Sequence, residues 1–180
     1  MHMRIPPGRP PRSGSWARPS SRAATAVLAA IALLLSGLIA GLAAPKASAA
    51  TCGTTNLALH KPTTASSVQG PSWPAANATD GSLTTRWSSQ FSDPQWLEVD
   101  LGATTSICQV VIHWNTSYAK SFQIQTSTDN ATWTSIYSTA AGTGGTQTLY
   151  ITGTGRYIRM NGTTRATQYG YSIYEFQVYA

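Results

Sequence analysis

The chain predicts an all-β fold, a sandwich or a barrel, and three observations carry that expectation. Short runs alternate apolar and polar residues with a period of two. Clusters of Gly, Asn, Asp and Thr separate the runs. No segment beyond residue 50 has the composition or spacing of a long helix. In chain order, Gln95 to Leu101 places Leu97, Val99 and Leu101 on one face and Trp96, Glu98 and Asp100 on the other. The aliphatic face belongs to the core and the second face nearer solvent. Ile107 to Trp114 is apolar enough for a central strand, and Phe122, Ile124 and Thr126 alternate with two glutamines. Trp133 to Tyr137, Gln147 to Ile151, Tyr157 to Met160 and Ile173 to Tyr179 continue the series. Turns are expected at Asp129-Asn130, Gly142 to Gly145, Gly153 to Gly155 and Asn161-Gly162.

Residues 1–49 read differently. Arg4, Arg9, Arg12, Arg18 and Arg22 precede an Ala/Leu/Ile/Val-rich run from Ala23 to Ala44, and Ala47-Ser48-Ala49 follows. Basic, apolar, small-residue cleavage site is the order of a secretory signal peptide. The competing reading is an uncleaved anchor, since the run is long enough to span a bilayer. Cleavage would leave residues 50–180, one domain's worth of chain, secreted and extracellular.

The leader also accounts for the charge. Of 12 Lys and Arg, six lie before residue 50; the rest of the chain has six Lys and Arg against six Asp and Glu, a net of zero. The basic balance of the whole chain is therefore no argument for a nucleic-acid partner. Cys52 and Cys108 are the two cysteines. Export permits a disulfide between them, and a bridge over that span contributes about 4 kcal/mol in a chain-entropy estimate. Two free, buried thiols are the alternative.

Several blocks then resemble a known family. Asn56-Leu-Ala-Leu-His-Lys-Pro62, Ala78-Thr-Asp-Gly-Ser-Leu-Thr-Thr-Arg-Trp87 and Gln95-Trp-Leu-Glu-Val-Asp-Leu-Gly102 are similar to successive blocks of the coagulation factor V/VIII type C (discoidin) domains. Ser127 to Trp133, Gly155 to Arg159 and Glu175 to Tyr179 continue the match in register. In bacteria such exported domains resemble carbohydrate-binding module family 32. The resemblance implies an eight-stranded jelly-roll β-sandwich, the galactose-binding-like fold.

It also implies a structural calcium ion. The family's metal loop and last strand map onto the carboxylates of Asp80 and Glu175 and the hydroxyl and carbonyl of Thr85. The carbonyls of Asn77, Ser82 and Tyr174 complete an all-oxygen set. Without the resemblance, Asp80 reads as the start of an Asp-Gly turn and Glu175 as a solvated carboxylate.

Enzymatic chemistry finds little support. Glu98 and Asp100 share a strand face, but a glycosidase needs two carboxyls flanking a cleft. His113 has no nucleophile in a recognisable motif, and no phosphate-cradling glycine loop occurs.

A sugar needs a flat apolar ring for its C–H face and a few fixed polar groups for its hydroxyls. The resemblance puts such a site on loops at one end of the sandwich. The loop aromatics are Trp73, Phe91, Tyr118, Tyr169 and Tyr171; the loop polar groups are Gln69, Arg86, Asn115 and Arg165. Arg86 leads because it follows the metal loop directly. A salt bridge to Asp93 or Asp100 is its alternative role, and strand alternation also allows Tyr169 and Tyr171 a place in the core. Thr163 to Glu175 resembles modules attached to chitosanases and β-1,3-glucanases. Chitosan-binding relatives carry carboxylates near the positions of Gln69 and Asn115, where this chain has neutral amides. The expectation is a monomeric, non-catalytic module for a neutral polysaccharide, a β-1,3-glucan or galactose-containing glycan, with chitosan the charged alternative. Adhesion to a membrane or protein is the competing class.

Overall fold

The computed structural model describes residues 52–180; the expected leader, residues 1–49, lies outside them. Seven strands and one short 3-10 helix follow one another. They are β1 (Thr63–Ala65), the helix η1 (Ala75–Ala78), β2 (Trp87–Ser88), β3 (Gln95–Trp114), β4 (Ala119–Ser127), β5 (Thr134–Thr139), β6 (Thr146–Arg165) and β7 (Ser172–Tyr179).

The architecture turns on the two 20-residue strands, β3 and β6, which pair antiparallel along their length. Register shifts between Asp100 and Thr105, and again between Ile107 and Gln109, break the ladder in two. Such bulges bend strands and increase their twist. The first half of β3 pairs with β1 and with the last half of β6, which in turn carries β4 and β5. The second half of β3 is flanked by the first half of β6 and by β7, which carries β2. One pair of long strands thus supplies two layers of a β-sandwich.

Alternation explains which side chains fill it. Leu97, Met160 and Ile124 lie side by side in one layer, as do Val99, Ile158 and Thr126. In the other, Val178, Val110 and Leu149 are neighbours, and Phe176 lies beside Ile112. All are buried, in one continuous core. Cys52 and Cys108 form the disulfide, which ties the first described residue to β3.

Two expectations change. Gly153 to Gly155 and Asn161-Gly162 are not turns but lie inside β6. The glycines there mark close approaches. A Cβ at Gly153 would sit 2.8 Å from Ile136, at Gly155 2.9 Å from the Ser127 carbonyl, and at Gly162 2.6 Å from the Tyr171 ring. Gln147–Ile151 and Tyr157–Met160 thus merge into β6, as Gln95–Leu101 and Ile107–Trp114 merge into β3, and the described residues form seven strands where eight were expected. Glu98 also departs from its solvent-facing expectation: it is buried, and burial pushes its carboxyl up, against the opposing effects of Asn130 and Arg159.

Candidate functional site

β2 has only two residues, yet it stitches one end of the sandwich together. The Ser88 amide donates to the Trp73 carbonyl (3.3 Å), and the Ser88 carbonyl accepts from Gln69 (2.8 Å). Ser89 donates to the Tyr171 carbonyl (2.9 Å). Beyond β2, Ser172 of β7 donates to Ser117 (2.8 Å) and accepts from Asn115 (2.9 Å). Loops 66–73, 89–94, 115–118 and 166–171 are thereby joined into one surface. Gly170 lies so close to Ser89 and Gln90 that a Cβ there would meet the Ser89 carbonyl at 2.4 Å.

Arg86 enters this surface from the residue before β2. Its guanidinium lies over the Trp73 ring (5.3 Å to the centroid), and its Nε donates to Ser88 Oγ (3.2 Å). Neither expected salt bridge forms. Asp93 is held by Arg165 (3.2 Å) and by the Tyr171 hydroxyl, and Asp100 takes two hydrogen bonds from Arg156 (2.8 Å each). Arg86 is thus the uncompensated charge of the loop surface.

On loops 89–94 and 166–171, Phe91 and Tyr169 are 47% and 51% exposed and packed edge to face with centroids 5.6 Å apart. Val68 is exposed nearby, where its carbonyl accepts from Gln90 (3.0 Å). Gln69 is exposed. Asn115 is partly buried, its amide nitrogen donating to the Tyr174 hydroxyl and its oxygen accepting from Thr116 (3.0 Å). The joined loops therefore carry exposed rings, neutral amides and an arginine without a salt bridge, and no pocket is found among the described residues.

Four of the expected ligand residues have other occupations. Tyr171 is fully buried, its ring against Gly162 and its hydroxyl on Asp93, so it is a core residue rather than a ligand contact. Burial, then Asp93, pushes its phenol well above the ordinary range. Arg165 is spent on Asp93 and the Gln168 carbonyl (3.0 Å). Tyr118 packs against the core and covers Gly144, whose added Cβ would meet the ring at 2.6 Å. Trp73 gives its ring to Arg86 and packs on Gly70. These four shape the loops that present Arg86, Phe91, Tyr169, Gln69 and Asn115. Ser88 and Ser172, by contrast, carried no signal in the sequence: nothing around either serine reveals which hydroxyl will face an arginine.

Of the expected metal residues, Asp80, Thr85 and Glu175 lie close together. Glu175 is 1% exposed; Oε1 accepts from the Gly81 amide (2.6 Å), while Oε2 is buried with no partner. Burial pushes this carboxyl up to about 7, and the charge of Asp80 adds to the rise. Asp80 itself accepts from the Ser82 amide (2.9 Å) and the Thr85 hydroxyl (2.7 Å). A buried carboxylate with an orphaned oxygen, next to a second carboxylate, fits a hard cation. No group of three or more His, Cys, Asp or Glu could hold an ion among the described residues, so backbone carbonyls would have to complete the shell. Asn77 links this loop to the ligand surface: its Nδ2 donates to the Arg86 carbonyl (3.1 Å).

Comparison with known proteins gives a concordant picture. The family model for the F5/8 type C domain matches residues 62–176. The chitosan-binding module 1 of a chitosanase/glucanase from Paenibacillus sp. IK-5 is 44% identical, with a TM-score of 0.68 over 70% of this chain and 99% of that one. Module 2 of the same enzyme, solved with chitotriose, is 40% identical, with a TM-score of 0.67 over 69% and 100%. A polysaccharide lyase 8 family protein, HylA of Enterococcus faecalis, is 32% identical over 171 residues, covering 85% of this chain. The chain spans 12% of that relative's length.

Proposed function

Because the chain belongs to the F5/8 type C domain family, we propose that it is a secreted, non-catalytic carbohydrate-binding module whose ligand is a β-linked polysaccharide. One observation carries the reading. The loop surface gathers a fixed, uncompensated guanidinium, an exposed pair of rings and two neutral amides within one hydrogen-bonded frame. Exposed ring faces receive the apolar side of a pyranose, and the guanidinium donates to its oxygens.

Charge narrows the ligand. The similar modules named above bind chitosan, whose protonated amines call for a carboxylate. Here Asp93 is already engaged by Arg165 and Tyr171, and Gln69 and Asn115 are neutral. A surface whose one carboxylate, Asp93, is already paired favours an uncharged glycan such as a β-1,3-glucan. The shallow surface suits modest affinity for a single sugar segment.

Calcium is proposed as the structural ion. Asp80, Thr85 and Glu175 would hold it by side-chain oxygens and Asn77, Ser82 and Tyr174 by carbonyls. The unpartnered Glu175 Oε2 supports this assignment.

The test is retention on insoluble β-1,3-glucan, galactan, cellulose, chitin and chitosan, with anionic liposomes alongside, in calcium and in chelator. Retention on a neutral glycan, lost in Arg86→Ala, is the expected result. Retention on chitosan alone would overturn the charge argument but not the carbohydrate reading. Binding to liposomes alone would make the exposed Val68, Phe91 and Tyr169 an adhesive tip instead.

A further inference from the structure

We propose that the buried hydroxyl pair Ser88–Ser172 is a positioning device for Arg86, occupying its Nε so that the two terminal nitrogens alone face the ligand. Ser88 is 1% and Ser172 6% exposed, and their oxygens are 2.7 Å apart. A hydroxyl has one proton and two lone pairs. Ser88 Oγ gives a lone pair to Arg86 Nε and is itself oriented by Ser172.

Neither serine is free to drift. They face each other in the β2–β7 ladder, and the backbone of each makes two hydrogen bonds to one loop, 66–73 for Ser88 and 115–118 for Ser172. Trp73 holds the guanidinium by its face, Ser88 by its Nε edge. Among the described residues no acceptor meets either Nη of Arg86. What remains are the four N–H donors of the two Nη, two of which form an end-on fork spaced for two neighbouring oxygens. Its ligand chemistry is a pair of adjacent sugar oxygens. An arginine ordered before binding does not lose its rotamer freedom on binding, so the pair should raise affinity without touching the sugar. The ligand half of this inference rests on the carbohydrate reading; the positioning half does not.

Two measurements on the purified chain separate them. The first needs no sugar: the nitrogen-15 spectrum of arginine side chains, with the Arg86 Nε signal assigned by its loss in Arg86→Ala. That signal should be shifted and slow to exchange in the wild type and should move to the free-arginine position in Ser88→Ala. An unmoved signal overturns the positioning. The second is calorimetry with a β-1,3-linked glucose hexasaccharide and, in parallel, chitotriose. Ser88→Ala should weaken whichever sugar binds by about tenfold, the scale of one hydrogen bond to a charged group. It should add nothing once Arg86 is alanine. An equal loss in the Arg86→Ala background means the hydroxyl does not act through Arg86, and the proposal falls. If the wild type binds neither sugar, the ligand half of the inference fails for these sugars and the Nε signal alone decides the positioning. Should Ser88→Ala not fold, Ser172→Ala carries the same test, with a smaller Nε shift expected and an unmoved signal again overturning the proposal.

Discussion

Arg86 and Tyr171 are both polar residues at the loop end, yet they have opposite fates. The Tyr171 ring fills the space above Gly162 and its hydroxyl is satisfied by Asp93, so burial is tolerable. Arg86 makes no salt bridge, because both carboxylates that would have quenched it are taken. Two predictions belong to this scale. Arg86→Ala should lower affinity for the bound glycan about tenfold or more, measured by calorimetry, with the melting temperature little changed. Tyr171→Phe should act the other way, leaving affinity modestly affected while lowering stability by about 1 kcal/mol or more, because the Asp93 carboxylate loses a donor. A denaturant midpoint checks it.

At the level of elements, β6 is the informative case. Gly153, Gly155 and Gly162 read as turn signals, but each lies where a neighbouring chain leaves no room for a Cβ. Composition cannot separate a glycine that permits a turn from one that permits an approach. Gly162→Ala should therefore cost about 1–3 kcal/mol by overpacking, since its neighbour is a buried ring that cannot swing away. A urea titration reads this directly. The same strand pair sets an acid response. Asp100 on β3 faces Tyr157 on β6, and the neighbouring Arg156, by its hydrogen bonds, holds the Asp100 carboxyl below its ordinary value of 3.8, with help from the Gly102 amide and Lys61. The folded state thus binds this proton less readily than the unfolded chain. Its stabilisation is complete above that ordinary value and is lost as the pH falls through the lowered one. Asp100→Asn should flatten the acid limb below about pH 4, seen in urea midpoints between roughly pH 2 and 6.

For the whole molecule, the metal loop, β7 and the ligand surface form one connected assembly: Glu175 reaches Gly81, and Asn77 reaches the Arg86 carbonyl. Calcium binding only the folded state should add about 2.7 kcal/mol at a concentration 100 times its Kd. The melting temperature should rise with calcium and fall in chelator. Glu175→Gln should abolish that difference. An identical melting temperature in both conditions would remove calcium from the account.

Much of this protein was determined by sequence alone. Period-two alternation in β3 and β4 identifies Leu97, Val99, Phe122 and Ile124 as core, because a strand's side chains have two directions and only one is dry. The family blocks drew attention to the Asp80–Thr85 loop and to Arg86. Tertiary structure alone decided the rest: that two strands of 20 residues serve both layers, that Tyr171 is core while Phe91 and Tyr169 are surface, and that Ser88 holds Arg86. The reason is physical. Alternation and propensity are local properties of the chain, whereas the partner of a hydroxyl, a ring or a carboxylate is chosen among residues 70 to 90 positions away, such as Ser172 for Ser88 and Asp93 for Tyr171.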